Sequence, residues 1–278
     1  MARARWQAAG FTLVELVLVI LVLSVLAIGV TGFITRGTQI YVDGQLWQRH
    51  LGEVRYGAQR LSRELRDAVP GSVTISNSPG AAAQSCIRFL PILRAERYLA
   101  APLPGDATTL LAYPPDCCDG DSNDQLCLDG DDSNNHQICP DFDGAGTAVT
   151  LSLLEGYVRH EFAIDSVVLN GELAAIELDR PIEALAYSTG QRYFLSKGEV
   201  AWCVSNDGTL QRDGVLMAQG LQNRLTDCAV NGASDPQCPF VETAPGQQRN
   251  NTVRLQWWLA QGTLDQRFAQ EVQLENVP

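Results

Sequence analysis

One carboxylate, Glu15, stands inside a run that is otherwise free of charge. Between positions 11 and 33 there are 23 residues, of which 16 are Phe, Leu, Ile or Val and one is ionisable. Such residues gain about 5 to 10 kcal/mol together on entering a bilayer, against about 3 kcal/mol lost for the acid, so insertion wins. An ionisable group held in hydrocarbon is costly and normally has a partner. A terminal amine near the same depth would supply one. The alternative is that Glu15 lies near enough to the interface to reach water.

The second concentration of chemistry is acidic and rich in cysteine. Residues 116–143 hold Cys117, Cys118, Cys127 and Cys139 among nine aspartates. Asp119 and Asp121, and again Asp129 and Asp131, alternate with small residues, as calcium-binding loops do when they gather hard oxygen ligands. Neither set has a glutamate at the twelfth position, which excludes an EF-hand. The competing reading is a solvated acidic loop held by disulfides. A zinc site built on His136 and loop thiolates does not match any knuckle spacing. Eight cysteines permit 105 pairings. The reading adopted joins Cys117 and Cys118 to Cys127 and Cys139 in either order, leaving Cys86, Cys203, Cys228 and Cys238 for a sheet.

The three histidines, His50, His136 and His160, are dispersed. Nucleophile-elbow, phosphate-loop and zinc-protease motifs are all missing, so the expected protein is not an enzyme. A formal charge of −12 repels phosphate backbones, which argues against nucleic acid as a partner. Disulfides require an oxidising compartment, and therefore export.

These groups need elements to carry them. The apolar run is long enough to span a membrane, and it is too long for the core of a secretory signal. Arg3 and Arg5 precede it, so the positive-inside rule keeps the amino end cytoplasmic and sends the rest across. Beyond it, Trp47, Leu51, Val54, Ala58, Leu61, Leu65 and Ala68 are spaced alternately by four and three, a helical seam that reads as a core face. Pro70 and Gly71 close the pattern, so one helix is expected over residues 11–69, about 88 Å long. Gly29, Gly32, Gly37 and Gly44 weaken its middle by about 1 kcal/mol each.

After Gly71, short apolar runs alternate with turn residues. Strands are expected at 87–93, 149–154, 157–164 and 174–178. Hairpins are expected around Lys197-Gly198 and Asn206-Asp207-Gly208, with a last pair at 252–261 and 267–274. The fold class is α+β, a long N-terminal helix packed on antiparallel sheet.

Gly10-Phe11-Thr12-Leu13-Val14-Glu15-Leu16 resembles the processing site of type IV prepilins and type II secretion pseudopilins. The resemblance implies that a prepilin peptidase/methyltransferase cleaves between Gly10 and Phe11 and methylates the new amine of Phe11. It implies also that Glu15 of an incoming subunit meets that amine on a neighbour during assembly. Four further segments are similar to MshO-type minor pilins of mannose-sensitive haemagglutinin (MSHA) pilus biogenesis. They are Leu61-Ser62-Arg63-Glu64-Leu65-Arg66-Asp67-Ala68-Val69-Pro70, Cys86-Ile87-Arg88-Phe89-Leu90-Pro91-Ile92, Trp202-Cys203-Val204, and Glu271-Val272-Gln273-Leu274-Glu275-Asn276-Val277-Pro278.

The organisation expected is a leader over 1–10, a transmembrane helix over 11–33, a periplasmic helical half over 34–70, and a disulfide-containing β-rich domain over 71–278 that includes the acidic stretch. The function implied is that of a minor pilin, anchored in the inner membrane with its C-terminal domain in the periplasm and then incorporated into a pilus. Its partners would be other major and minor pilins. The alternatives are a J-type pseudopilin of a type II secretion system and a calcium-dependent tip adhesin.

Overall fold

The computed structural model describes residues 12–78, 80, 83–100, 108–113, 149–155, 158–170, 173–182, 190–231, 237–243, 251–261 and 264–274. Two compact units divide at Leu51 and Gly52, and helix α1 (Leu13–Arg66) contributes to both.

In the first unit the helix is unbroken through Gly29, Gly32, Gly37 and Gly44, where an added Cβ would meet nothing within 4 Å. Its hydroxyls are satisfied locally. Ser24 donates to the Leu21 carbonyl at 2.8 Å, Thr31 to Ala27 at 2.7 Å and Thr38 to Ile34 at 2.9 Å. A hydroxyl bonded to its own helix carries little penalty into an apolar medium, so these residues do not interrupt the apolar character of the stretch.

In the second unit the helix turns a core face inward. Val54, Ala58, Leu61 and Leu65 are buried, as the seam spacing requires. The helix stops at Arg66 and not at Val69. Pro70 disfavours helical dihedrals at the residue before it, and the backbone finds other partners: the Val69 N–H donates to Leu90 and the Asp67 carbonyl accepts from Ile92, both at 2.8 Å.

The helix packs on an antiparallel sheet of order β1-β2-β9-β10-β11, formed by β1 (Thr74–Ser78), β2 (Gln84–Phe89), β9 (Val200–Ser205), β10 (Leu210–Arg212) and β11 (Val215–Ala218). Close approach explains Gly57, where a Cβ would lie 3.1 Å from Leu210 Cδ2. Between β10 and β11, Asp213 (φ 47°) and Gly214 (φ 80°) both take left-handed dihedrals, the geometry of a type I′ hairpin.

Between β2 and β9 the chain leaves this sheet and builds a closed antiparallel barrel. Its strands are β3 (Ile92–Ala100), β4 (Thr109–Ala112), β5 (Val149–Glu155), β6 (Val158–Asn170), β7 (Leu173–Leu178) and β8 (Arg192–Lys197), in the order β3-β4-β7-β6-β5-β8. Tyr98, Leu110, Leu151, Leu153, Phe162 and Tyr193 belong to a filled interior, which distinguishes this barrel from a ligand-carrying one. Leu154 and Phe194 pack with Val69, just past the end of α1.

The barrel corrects one expectation. β8 and β9 are adjacent in sequence across Lys197-Gly198, yet they do not pair: β8 joins β3 and β5 in the barrel, and β9 joins β2 and β10 in the sheet. That glycine, at φ 72°, turns a crossover between two sheets and not a hairpin. The strand expected at 87–93 is likewise divided at Leu90-Pro91 into β2 and β3. The hairpin at Asn206-Asp207-Gly208 is present between β9 and β10.

Short helix α2 (Leu225–Asn231) precedes a three-stranded sheet of β12 (Phe240–Thr243), β13 (Thr252–Gln261) and β14 (Leu264–Gln273). Trp257 stacks on Phe268 at 5.8 Å and meets the edge of Phe240 at 6.4 Å. The α+β class therefore holds, with a closed barrel added to it.

Candidate functional site

Glu15 occupies the first turn of α1, and the residue that starts that turn is Thr12. The Thr12 hydroxyl accepts the backbone N–H of Glu15 at 3.3 Å, and its carbonyl accepts that of Leu16 at 3.2 Å. This is the N-cap position, with the Thr-x-x-Glu spacing of a capping box. The sequence carries that signal, yet the motif reading above assigns Thr12 no role. An anionic side chain here is also favoured by the helix dipole, by about 0.3 to 1 kcal/mol. Glu15 thus has a local reason to be acidic as well as a capacity to accept a cation.

The apolar side chains that follow are all exposed; Leu13 and Ile28 retain 80% and 76% of their accessible surface. Among the described residues, none buries them. Between Glu15 and Arg36 no residue ionises. Those 20 positions rise about 30 Å in a helix, the thickness of a hydrocarbon core. By length and composition the segment can cross a membrane, and it is followed by a β domain. Glu15 and Arg36 bracket that uncharged stretch.

The other predicted residues fall as follows. Gly10 and Phe11 lie outside the described residues, as do Asp119, Asp121, Asp129 and Asp131 with Cys117, Cys118, Cys127, Cys139 and His136. The remaining four cysteines form two bonds. Cys86 and Cys203 face each other directly on β2 and β9, with Cα atoms 4.1 Å apart, and Cys228 on α2 joins Cys238 just before β12 at 4.9 Å. Among the described residues no three His, Cys, Asp or Glu side chains come together as a metal site would need. His50 is on α1 and His160 on β6, well separated in the chain.

No protein-family model, no curated protein and no solved structure matches this chain.

A second constellation, absent from the motif reading, sits where α1 meets the sheet. Glu64 accepts the indole N–H of Trp202 at 2.8 Å and the Arg212 Nε–H at 3.0 and 3.1 Å on its two oxygens, with Arg60 adding a further bond at 3.0 Å. Arg212 also donates to Asp213 at 3.0 Å. Each partner has its bond satisfied within the cluster, so its effect is to register the helix on the sheet. Only a folded sheet brings Glu64 and Arg212 together, since 148 positions separate them.

Proposed function

We propose that the chain is a minor pilin-like subunit, held in the inner membrane by the apolar part of α1 and carrying its β-rich domain in the periplasm before incorporation into a type IV pilus of the MSHA kind. The observation that carries the reading is the single carboxylate, Glu15, at the capped amino end of an exposed apolar helix that continues into a folded domain. Such a helix needs lipid or other helices around it, and Glu15 offers the one fixed charge near its start for orienting a neighbour.

On this reading prepilin peptidase cuts between Gly10 and Phe11, the new amine is methylated, and Glu15 of an arriving subunit neutralises it. The protein then acts through assembly and not as an enzyme.

The test is Glu15→Ala. Export, processing and the thermal melt of the β domain should match the parent, because Glu15 belongs to the first compact unit and the β domain to the second. Incorporation into sheared pili should fall steeply, since an ammonium left without its partner in a low-dielectric setting costs several kcal/mol. Wild-type incorporation would refute the assembly role. Loss of processing as well would place the defect at the peptidase step instead.

A further inference from the structure

Strand β14 is the outer strand of its sheet, and among the described residues only β13 pairs with it. It runs for 10 residues, Leu264–Gln273, in unbroken register with β13. A long edge of this kind is a template for another strand, and proteins commonly blunt it with lysine, proline or a bulge. β14 has none of the three. The Leu274 N–H donates to the Asn251 carbonyl at 2.9 Å, one step beyond the last ladder pair, Thr252 with Gln273. Hydrogen-bonding direction alternates along an antiparallel strand, so the even-numbered residues turn their amides to β13 and the odd-numbered ones turn theirs outward.

The side chains alternate as regularly as the amides. Arg267, Ala269, Glu271 and Gln273 are exposed, while Phe268 and Gln270 are half-buried and Val272 is buried. The open face of this edge therefore presents a cation and an anion on either side of a small residue, with a second anion, Asp265, at its start. The Arg267 guanidinium lies 5.7 Å from the centre of the Trp258 ring and donates to Gln256, contacts that engage only part of its five-donor fork. Glu271 stands opposite Arg254 of β13.

We infer that β14 is the docking edge for a second copy of this chain, the two strands pairing antiparallel about a two-fold axis through Ala269. Charge complementarity selects both the occupant and the register. Opposed residues in a sheet share a face and faces alternate along a strand, so a two-fold axis relating identical antiparallel strands passes through a residue and not between two. Phe268 and Ala269 are the two central choices. An axis at Phe268 sets Asp265 opposite Glu271 of the second copy, twice, and like charges so placed destabilise a sheet. An axis at Ala269 instead sets Arg267 opposite Glu271, twice, with alanine where the copies cross. Each Glu271 then lies between Arg254 of its own chain and Arg267 of the other. The outward amides from Asp265 to Gln273 all find partners in this register. Pairing along one strand buries less than the roughly 1,200 Å² of a stable complex, so the dimer is a weak one, in about the micromolar range. The inference rests on β14 and is independent of whether the protein enters a filament.

The experiment follows the full chain in detergent micelles by sedimentation velocity, over a concentration series from about 1 to 100 μM. The parent should show a monomer–dimer equilibrium. Arg267→Glu sets a carboxylate opposite Glu271 of the other copy, and Glu271→Arg sets a guanidinium opposite its Arg267; each should weaken the dimer about tenfold or more. Mixed in equal amounts, the two variants should recover the parental dimer, because every like pair becomes an opposite one. That recovery separates lost docking from lost fold. Ala269→Cys reads the register independently: its two copies would stand about 5.5 Å apart at Cα, within disulfide reach, and should cross-link under mild oxidation. Gln273→Cys, about 27 Å from its own copy, should not. A parent that stays monomeric throughout, or a mixture that fails to recover the dimer, would overturn the proposal. A dimer indifferent to both charge reversals would overturn it by assigning association to the apolar helix, and equal cross-linking at positions 269 and 273 by assigning it to another register.

Discussion

The indole N–H of Trp202 on β9 reaches the carboxylate of Glu64 on α1 across 2.8 Å, and this bond joins the buried centre of the sheet to the helix laid over it. Trp202 is fully buried, so its polar atom has no water to turn to. Glu64→Ala should therefore lower stability by about 1 to 3 kcal/mol, the cost of stranding a buried donor, and Glu64→Gln by less, since an acceptor remains. A urea titration followed by tryptophan fluorescence measures it. In a double-mutant cycle with Arg212→Ala the two changes should couple by about 0.5 kcal/mol or more, and strict additivity would show the cluster to be incidental.

Gly208 and Gly214 both have φ near +80°, yet they should respond differently to alanine. At Gly208 a Cβ would lie 2.4 Å from the Leu221 carbonyl oxygen, a backbone atom that cannot swing aside, whereas at Gly214 it would meet nothing within 4 Å. Gly214→Ala should cost about 1 to 2 kcal/mol for the left-handed conformation alone. Gly208→Ala should cost clearly more and disturb the segment from Leu221 that bridges to Leu259. Equal shifts in melting temperature would contradict this.

The two disulfides should differ in weight. Cys86 and Cys203 are separated by 117 positions and their loop encloses the whole barrel, while Cys228 and Cys238 are 10 apart. Loop-closure entropy gives about 4.7 kcal/mol for a loop of the first size and roughly 2.5 to 3 kcal/mol for the second. Replacing the first pair by serine should lower the melting temperature further than replacing the second; the reverse order would show that native packing outweighs loop length.

Acid should loosen the barrel through Glu177. The Thr108 hydroxyl, then that of Thr109 at 2.8 Å, donates to its carboxylate and holds its pKa below the ordinary value. A depressed folded pKa means stabilisation that is fully present above the unfolded value and is lost as pH falls through the folded one. Glu177→Gln should consequently melt with a weaker pH dependence than the parent between about pH 6 and pH 3. Parallel melting curves for the two proteins over that range would remove Glu177 from the acid response.

Much of this molecule is legible in its sequence. The apolar run, the seam from Val54 to Leu65, the β13–β14 pair and the turn at Asn206-Asp207-Gly208 are written in local spacing, because a helix or a tight hairpin is decided by residues a few positions apart. Asp213-Gly214 carried an equally local signal for β11, although the strand reading above passes over it. The helix ends at Arg66, three residues before the Pro70 stop signal implies, since backbone bonds with Leu90 and Ile92 compete for the last turn. Sequence alone also supplied Glu15 and its apolar surroundings. What only the tertiary structure decided is everything that depends on which strands meet. Lys197-Gly198 has the look of a hairpin, but β8 gains more partners by closing the barrel against β3 and β5. Closure in turn places Arg97 opposite Arg192 and leaves Cys86 facing Cys203 at the barrel's entry and exit. These pairings span about a hundred positions, and their loop-closure cost is recovered only when the whole barrel interior is buried at once, which no local pattern records.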